Sequence, residues 1–240
     1  MIEKKASEYQ TGADEVYDRG KIGLQFVALL STSSKDEDFT TAANHREIGG
    51  KAVTKVRERW IDRNYRKDAE SYNNEALRYA ILVRDGRVVG GGAGENFGLV
   101  YARMFRHFVN GDLSHVRRVV ASFDGELQEK YEKMIKAGLK GIKIRAIGLP
   151  KRGSHSSEPP ESDDEKRLGI SLVIGADIAA KTLGSRAREG RLGELIRDER
   201  LAGVWVGEEE ISLEELRHKI NGKDVGQEIF ESYKKNKIIG

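Results

Sequence analysis

The sequence predicts a three-layer α/β domain around a central, mostly parallel sheet, preceded by a largely helical N-terminal extension. Three observations predict this. Apolar strand-like runs alternate with amphipathic helical segments from residue 78 to residue 222. The runs are apolar without interruption, as in Val119-Val120-Ala121 and Val204-Trp205-Val206, which suits strands covered on both faces. Residues 1–75 lack that alternation and carry a basic, helix-like stretch instead.

The elements follow in order. Lys21 to Ser31 is an apolar run that periodicity alone leaves open between strand and short helix. Residues 47–67 read as a helix with Val53, Val56, Trp60 and Ile61 on one side. Lys51, Lys55, Arg57, Arg59, Arg63, Arg66 and Lys67 make the other side basic. The α/β domain covers residues 76–222. Its first strand, Arg78 to Arg84, ends at Asp85-Gly86. Gly90 to Gly98 holds five glycines in nine residues. That spacing is neither a Walker A nor a G-x-G-x-x-G at a first βα turn, so it reads as a hairpin or lid, with a phosphate cradle as the other reading. Asn96 suits an N-cap. The helix after it carries Phe97, Tyr101, Met104, Phe105 and Phe108 as a core stripe.

Val116 to Phe123 is the next strand, and Asp124 suits a cap for a helix through Leu127, Tyr131, Met134 and Ile135. Ile142 to Ile147 is a strand. Lys151 to Lys166 is polar and contains Pro159-Pro160, which predicts a long surface loop over 151–166. Ile170 to Ile174 is an apolar run leading into Asp177 and a short helix. Arg186 to Arg200 alternates with acids, as a solvated helix does. Ala202 to Val206 is a buried strand, and Ser212 with Glu215 is a capping box. Residues 223–240 form a C-terminal helix or arm.

Composition excludes several chemistries. The 240 residues include no cysteine, so disulfides, thiolate catalysis and Cys-based zinc sites are out. His45, His107, His115, His155 and His218 are scattered without metal-ligand spacing. The net charge of +3 makes no global polycation, so a nucleic-acid surface must come from local clusters. The longest apolar run is about half a membrane span and includes Gln25. These features predict a cytoplasmic protein without a membrane partner.

In a parallel sheet, ligands bind beyond the carboxyl ends of the strands. The polar residues predicted there are acidic: Asp85, Asp124, Asp177 and Glu208-Glu209-Glu210. Carboxylates gathered at one edge repel one another, and a divalent cation relieves that repulsion. Such a cation activates water and stabilises charge in phosphodiester hydrolysis. Basic groups for a phosphate track are Arg57, Arg59, Arg63 and Arg66, then Arg103, Arg106, Lys151 and Arg152.

Residues 78–222 resemble the NYN (LabA-like) branch of the PIN-like nucleases. The resemblance rests on Asp85-Gly86 after the first strand and on Gly169-Ile-Ser-Leu-Val-Ile-Gly-Ala-Asp177. It also rests on Val206-Gly207-Glu208-Glu209-Glu210-Ile211 and on Gly141 to Arg152 before a variable loop. It implies a Rossmann-like, PIN-like fold and a ribonuclease with Asp85, Asp177, Glu208 and Glu210 as catalytic metal ligands for Mg²⁺ or Mn²⁺. Ser171 stands where the family has its inner aspartate, Val88 where it has an asparagine, and glutamates replace aspartates at the last strand. Those departures give the alternative: a catalytically degraded, RNA-binding or self-assembling protein, a homo-oligomer of nucleocapsid or scaffold type. A nucleotide-binding protein using the glycine-rich segment is a third reading.

Overall fold

The computed structural model describes residues 7–18, 23–32, 77–84, 93–124, 129–149, 160–214 and 216. Its strands are β1 (Ser7–Asp18), β2 (Gly23–Thr32), β3 (Leu77–Arg84), β4 (Val116–Asp124), β5 (Lys143–Leu149), β6 (Leu201–Val206) and β7 (Glu209–Ile211). Its helices are α1 (Ala93–Phe108), α2 (Glu129–Gly138), α3 (Asp163–Arg188) and α4 (Leu192–Arg197). The strands form one sheet in the order β5-β4-β1-β2-β3-β6-β7.

β1 pairs antiparallel with β2, and β2 antiparallel with β3, so β3 runs with β1. β4, β5 and β6 are parallel to these, and β7 is antiparallel to β6. Five strands therefore point their carboxyl ends to the same edge. The domain is α/β, with a central sheet of mostly parallel strands flanked by helices.

The first 32 residues correct the expected helical extension: residues 7–18 and 23–32 are central strands of the sheet. The reason lies in β1 itself. A strand covered on both faces was expected to be apolar, yet β1 carries Gln10, Thr11, Asp14 and Glu15. Thr11 is fully buried and its Oγ1 lies 2.6 Å from the Tyr101 hydroxyl. The polar group is satisfied inside the core, so its burial costs little. The basic helix expected over 47–67 lies outside the described residues. So do Asp85 and the rest of 85–92, the stretch 150–159, and the C-terminal arm.

Two cores separate the layers. On one face, Ala13, Val27, Leu29, Leu82, Val119, Ala121 and Phe123 meet Phe97, Tyr101, Met104 and Phe105 of α1 and Ile135 of α2. The aromatic stripe of α1 is core, as its spacing predicts. On the other face, Leu24, Phe26, Tyr79, Ile81 and Val83 meet Leu183 of α3 with Leu192, Leu195 and Ile196 of α4. Ala28 and Leu30 meet Leu168, Leu172, Ala176 and Ala180 of α3.

α3 corrects two further expectations. The predicted loop over 151–166 gives way to helix at Asp163. Ser162 is the N-cap, accepting from the Glu165 backbone N–H at 3.1 Å. Ile170 to Ile174 lies inside this 26-residue helix and leads to no separate short one. A five-residue apolar run does not distinguish a strand from one side of a buried helix. α3 is also long and apolar enough to cross a membrane, but Leu168, Leu172, Val173, Ala176 and Ala180 are covered by the sheet. It approaches β1 closely because Gly12 has no side chain: a Cβ there would collide with the backbone of Leu172 and Val173. The predicted solvated helix over 186–200 is broken by Gly190, whose φ is +80°.

Candidate active site

β1 and β4 are parallel neighbours, and Ala13 is in register with Phe123. The next residues, Asp14 and Asp124, are therefore side by side on strands about 4.8 Å apart. Side chains alternate across a sheet. Ala13 and Phe123 both face the α1 core, so Asp14 and Asp124 both face α3. α3 crosses β1 at Gly12 through Leu172 and Val173. About one turn further along, it brings Asp177 within electrostatic reach of Asp14.

The electrostatics of Asp14 record this meeting. Its carboxyl is pushed up from 3.8 to about 7. Burial is the largest cause. The carboxylates of Asp177, Asp124 and Glu15 add to it, and the Glu15 backbone N–H, 2.7 Å from Oδ1, partly offsets them. Asp124 is exposed, whereas the Asp177 side chain is only 21% exposed. Lys181, one turn along α3, places Nζ 2.7 Å from Asp177 Oδ1 and 2.8 Å from Oδ2.

Glu15 alternates to the α1 face. There Asn96 Nδ2 donates to Glu15 Oε2 at 2.8 Å, and Asn96 is fully buried. α1 begins at Ala93, so Asn96 is inside its first turn and is not the expected N-cap. Gly98, from the glycine-rich segment, lies in the same helix, where an added Cβ would come within 3.2 Å of Tyr131 and Met134 of α2.

Of the sequence-predicted site acids, Asp177 reaches this edge, although it comes from a helix and not from a strand end. Asp124 reaches it too, as the last residue of β4 and five positions before the start of α2. Asp85 lies outside the described residues. Glu208 and Glu210 follow β6, three strands from β1 and about 14 Å across. Glu208 is exposed in the turn after Gly207, and Glu210 pairs with Arg103 at 3.0 Å. The expected convergence of Glu208 and Glu210 with Asp177 is thus not what the sheet builds, because the β1–β2 pair stands between β4 and β3.

Among the predicted phosphate contacts, Arg103 holds Glu210. Arg106 donates to the Gly138 carbonyl at 2.8 Å, closing the C-terminal end of α2. Arg57, Arg59, Arg63, Arg66, Lys151 and Arg152 lie outside the described residues. Sequence reading missed Asp14 and Glu15. The available signal was Gly20 and Gly23, which punctuate the link between the 7–18 stretch and the apolar run after it, a hairpin pattern.

Among the described residues, no three Asp, Glu or His side chains stand together within metal-ligating range. The donor set still suits one class of ion. Mg²⁺ keeps several waters and takes one or two carboxylates. Asp14, Asp124 and Asp177 offer hard oxygens from three elements whose charges oppose one another.

No family model matches the chain, and no curated protein matches it. Among solved structures it is similar to the ribonuclease HII of Archaeoglobus fulgidus in its complex with PCNA. Identity is 18%, covering 78% of this chain and 77% of that one, with a TM-score of 0.40. It is similar also to the ribonuclease H2 of Pyrococcus horikoshii OT3, at 15% identity over 95% of this chain and 99% of that one, with a TM-score of 0.37.

Proposed function

We propose that the chain is a divalent-metal-dependent ribonuclease acting through Asp14, Asp124 and Asp177. The observation that carries this reading is the register of β1 on β4, which sets two aspartates side by side under a third from α3. A fold gains nothing in stability from opposing carboxylates at one edge, so the arrangement calls for a cation to balance it. Mg²⁺ or Mn²⁺ held there would activate water and stabilise the charge of a phosphodiester under attack.

The chain's own residues have separate roles in this reading. Asp14, whose carboxyl is raised to about 7 by burial and by the neighbouring acids, titrates near neutrality, and a bound cation would favour its ionised form. Asp177 from α3 and Asp124 from β4 would share the holding of the ion with Asp14. Asn96 fixes Glu15, whose backbone N–H in turn orients Asp14 Oδ1. The PIN-like resemblance supports the choice of RNA as substrate and contributes Asp177 to this site.

Labelled single-stranded RNA and DNA incubated with Mn²⁺ test the reading. Wild type is expected to cut RNA, and Asp177→Asn to lose at least about 100-fold in rate while keeping its circular dichroism. Cleavage that survives both Asp177→Asn and Asp14→Asn refutes the assignment. RNA bound but uncut by wild type moves the conclusion to an RNA-binding or self-assembling protein.

A further inference from the structure

The Lys181–Asp177 pair has the spacing of an ordinary helical surface pair, four residues apart with the acid first. Two features set it apart. The Asp177 carboxylate is only 21% exposed, while the Lys181 side chain is 50% exposed. The ammonium also engages both carboxylate oxygens, at 2.7 and 2.8 Å, and those oxygens are the ones a cation needs. The groups facing Asp177 across the interface are Asp14 from β1, with Asp124 beside it from β4, and both are acidic. A divalent ion on Asp177 and an ammonium on the same two oxygens would be like charges a few ångströms apart, so they exclude each other.

We propose that Lys181 is the resident counter-ion of the acidic site, displaced when a divalent cation binds Asp177. The inference rests on the metal-site reading above and adds the competitor that the ion must remove. The long stem and half-solvated head of Lys181 let it leave without unfolding α3. In the metal-free site Lys181 then neutralises Asp177 and competes with any weakly bound cation.

The test is calorimetric titration of Mn²⁺ into the full chain as wild type, Lys181→Met, Lys181→Gln and Asp177→Asn. Both Lys181 variants are expected to bind at least about threefold more tightly than wild type, and Asp177→Asn to give no heat. Metal-free Lys181→Met is expected to melt below wild type, and saturating Mn²⁺ to bring the two together. Binding by the Lys181 variants but not by wild type supports the same conclusion in a stronger form. Lys181 variants that bind Mn²⁺ no more tightly than wild type overturn the displacement and leave the metal site standing. An absence of Mn²⁺ binding in wild type and in both Lys181 variants overturns the metal site, and the displacement with it.

Discussion

At the scale of single residues, Asp14 shows how strongly the fold works against a charge. Its carboxyl is raised from 3.8 to about 7, chiefly by burial and then by Asp177 and Asp124. Below about pH 3 the group is largely protonated in folded and unfolded chains alike and costs nothing. Between about 4 and 7 the unfolded chain loses the proton first, so stability falls as pH rises. Above 7 the cost levels off at on the order of 4 kcal/mol. Asp14→Asn is therefore expected to raise the urea midpoint at pH 8 and to leave it nearly unchanged at pH 3. Equal midpoints at pH 8 would mean that this carboxylate is well solvated and the three acids do not meet. Asp177 was legible in the sequence because an acid after an apolar run stands out. Asp14 was not, because it sits in a strand that does not look like one.

At the scale of elements, the closest approach at any glycine among the described residues is that of α3 to β1 at Gly12. A methyl group at Gly12 meets backbone atoms of Leu172 and Val173, which have no rotamer to escape into. Gly12→Ala is expected to cost about 3 kcal/mol in urea denaturation. Gly141 is the control: its φ is +86° and nothing lies within 4 Å of a Cβ there. Gly141→Ala is expected to cost only about 1 kcal/mol, from backbone strain alone. Similar losses at the two positions would show that α3 does not rest on β1 as described. The sequence disclosed β3, β4, β5 and β6 because each is a short apolar run beside a turn or a helix. It disguised α3, since Ile170 to Ile174 satisfies strand and helix patterns equally. Ser162-x-x-Glu165 was the missed sign of a helix start.

At the scale of the whole molecule, the edge opposite the acids is closed by ion pairs. Arg145 bonds Glu165 at 2.8 Å and Glu161 at 3.0 Å, and Arg118 bonds Glu161 at 2.8 Å. Arg145 and Glu165 are both buried, so removing either takes the shortest ion pair from a desolvated charge, although Arg145 keeps Glu161 at 3.0 Å and Glu165 keeps Arg118 at 3.4 Å. Glu165→Gln is expected to destabilise by about 3 kcal/mol, and Arg145→Met with Glu165→Met together by less than the sum of the two. A loss below about 1 kcal/mol in Glu165→Gln would mean that water already screens the pair. This network fixes the start of α3 to β4 and β5, and so sets where Asp177 falls along β1. None of this was readable in the sequence, because the partners come from three separate segments. The placement of the β1–β2 pair between β3 and β4 was equally hidden, since no local pattern says which strands are neighbours.

The polarity of β1 has a consequence during synthesis. Gly12 and its cover, Leu172, are about 160 positions apart. At ribosomal speed that is a wait of roughly ten to thirty seconds. An apolar strand with unpaired edges left uncovered that long would recruit strands from other nascent chains. Gln10, Thr11, Asp14 and Glu15 make β1 a poor template for such pairing. The residues that form the acidic edge in the finished protein thus also keep its central strand soluble until α3 has been made.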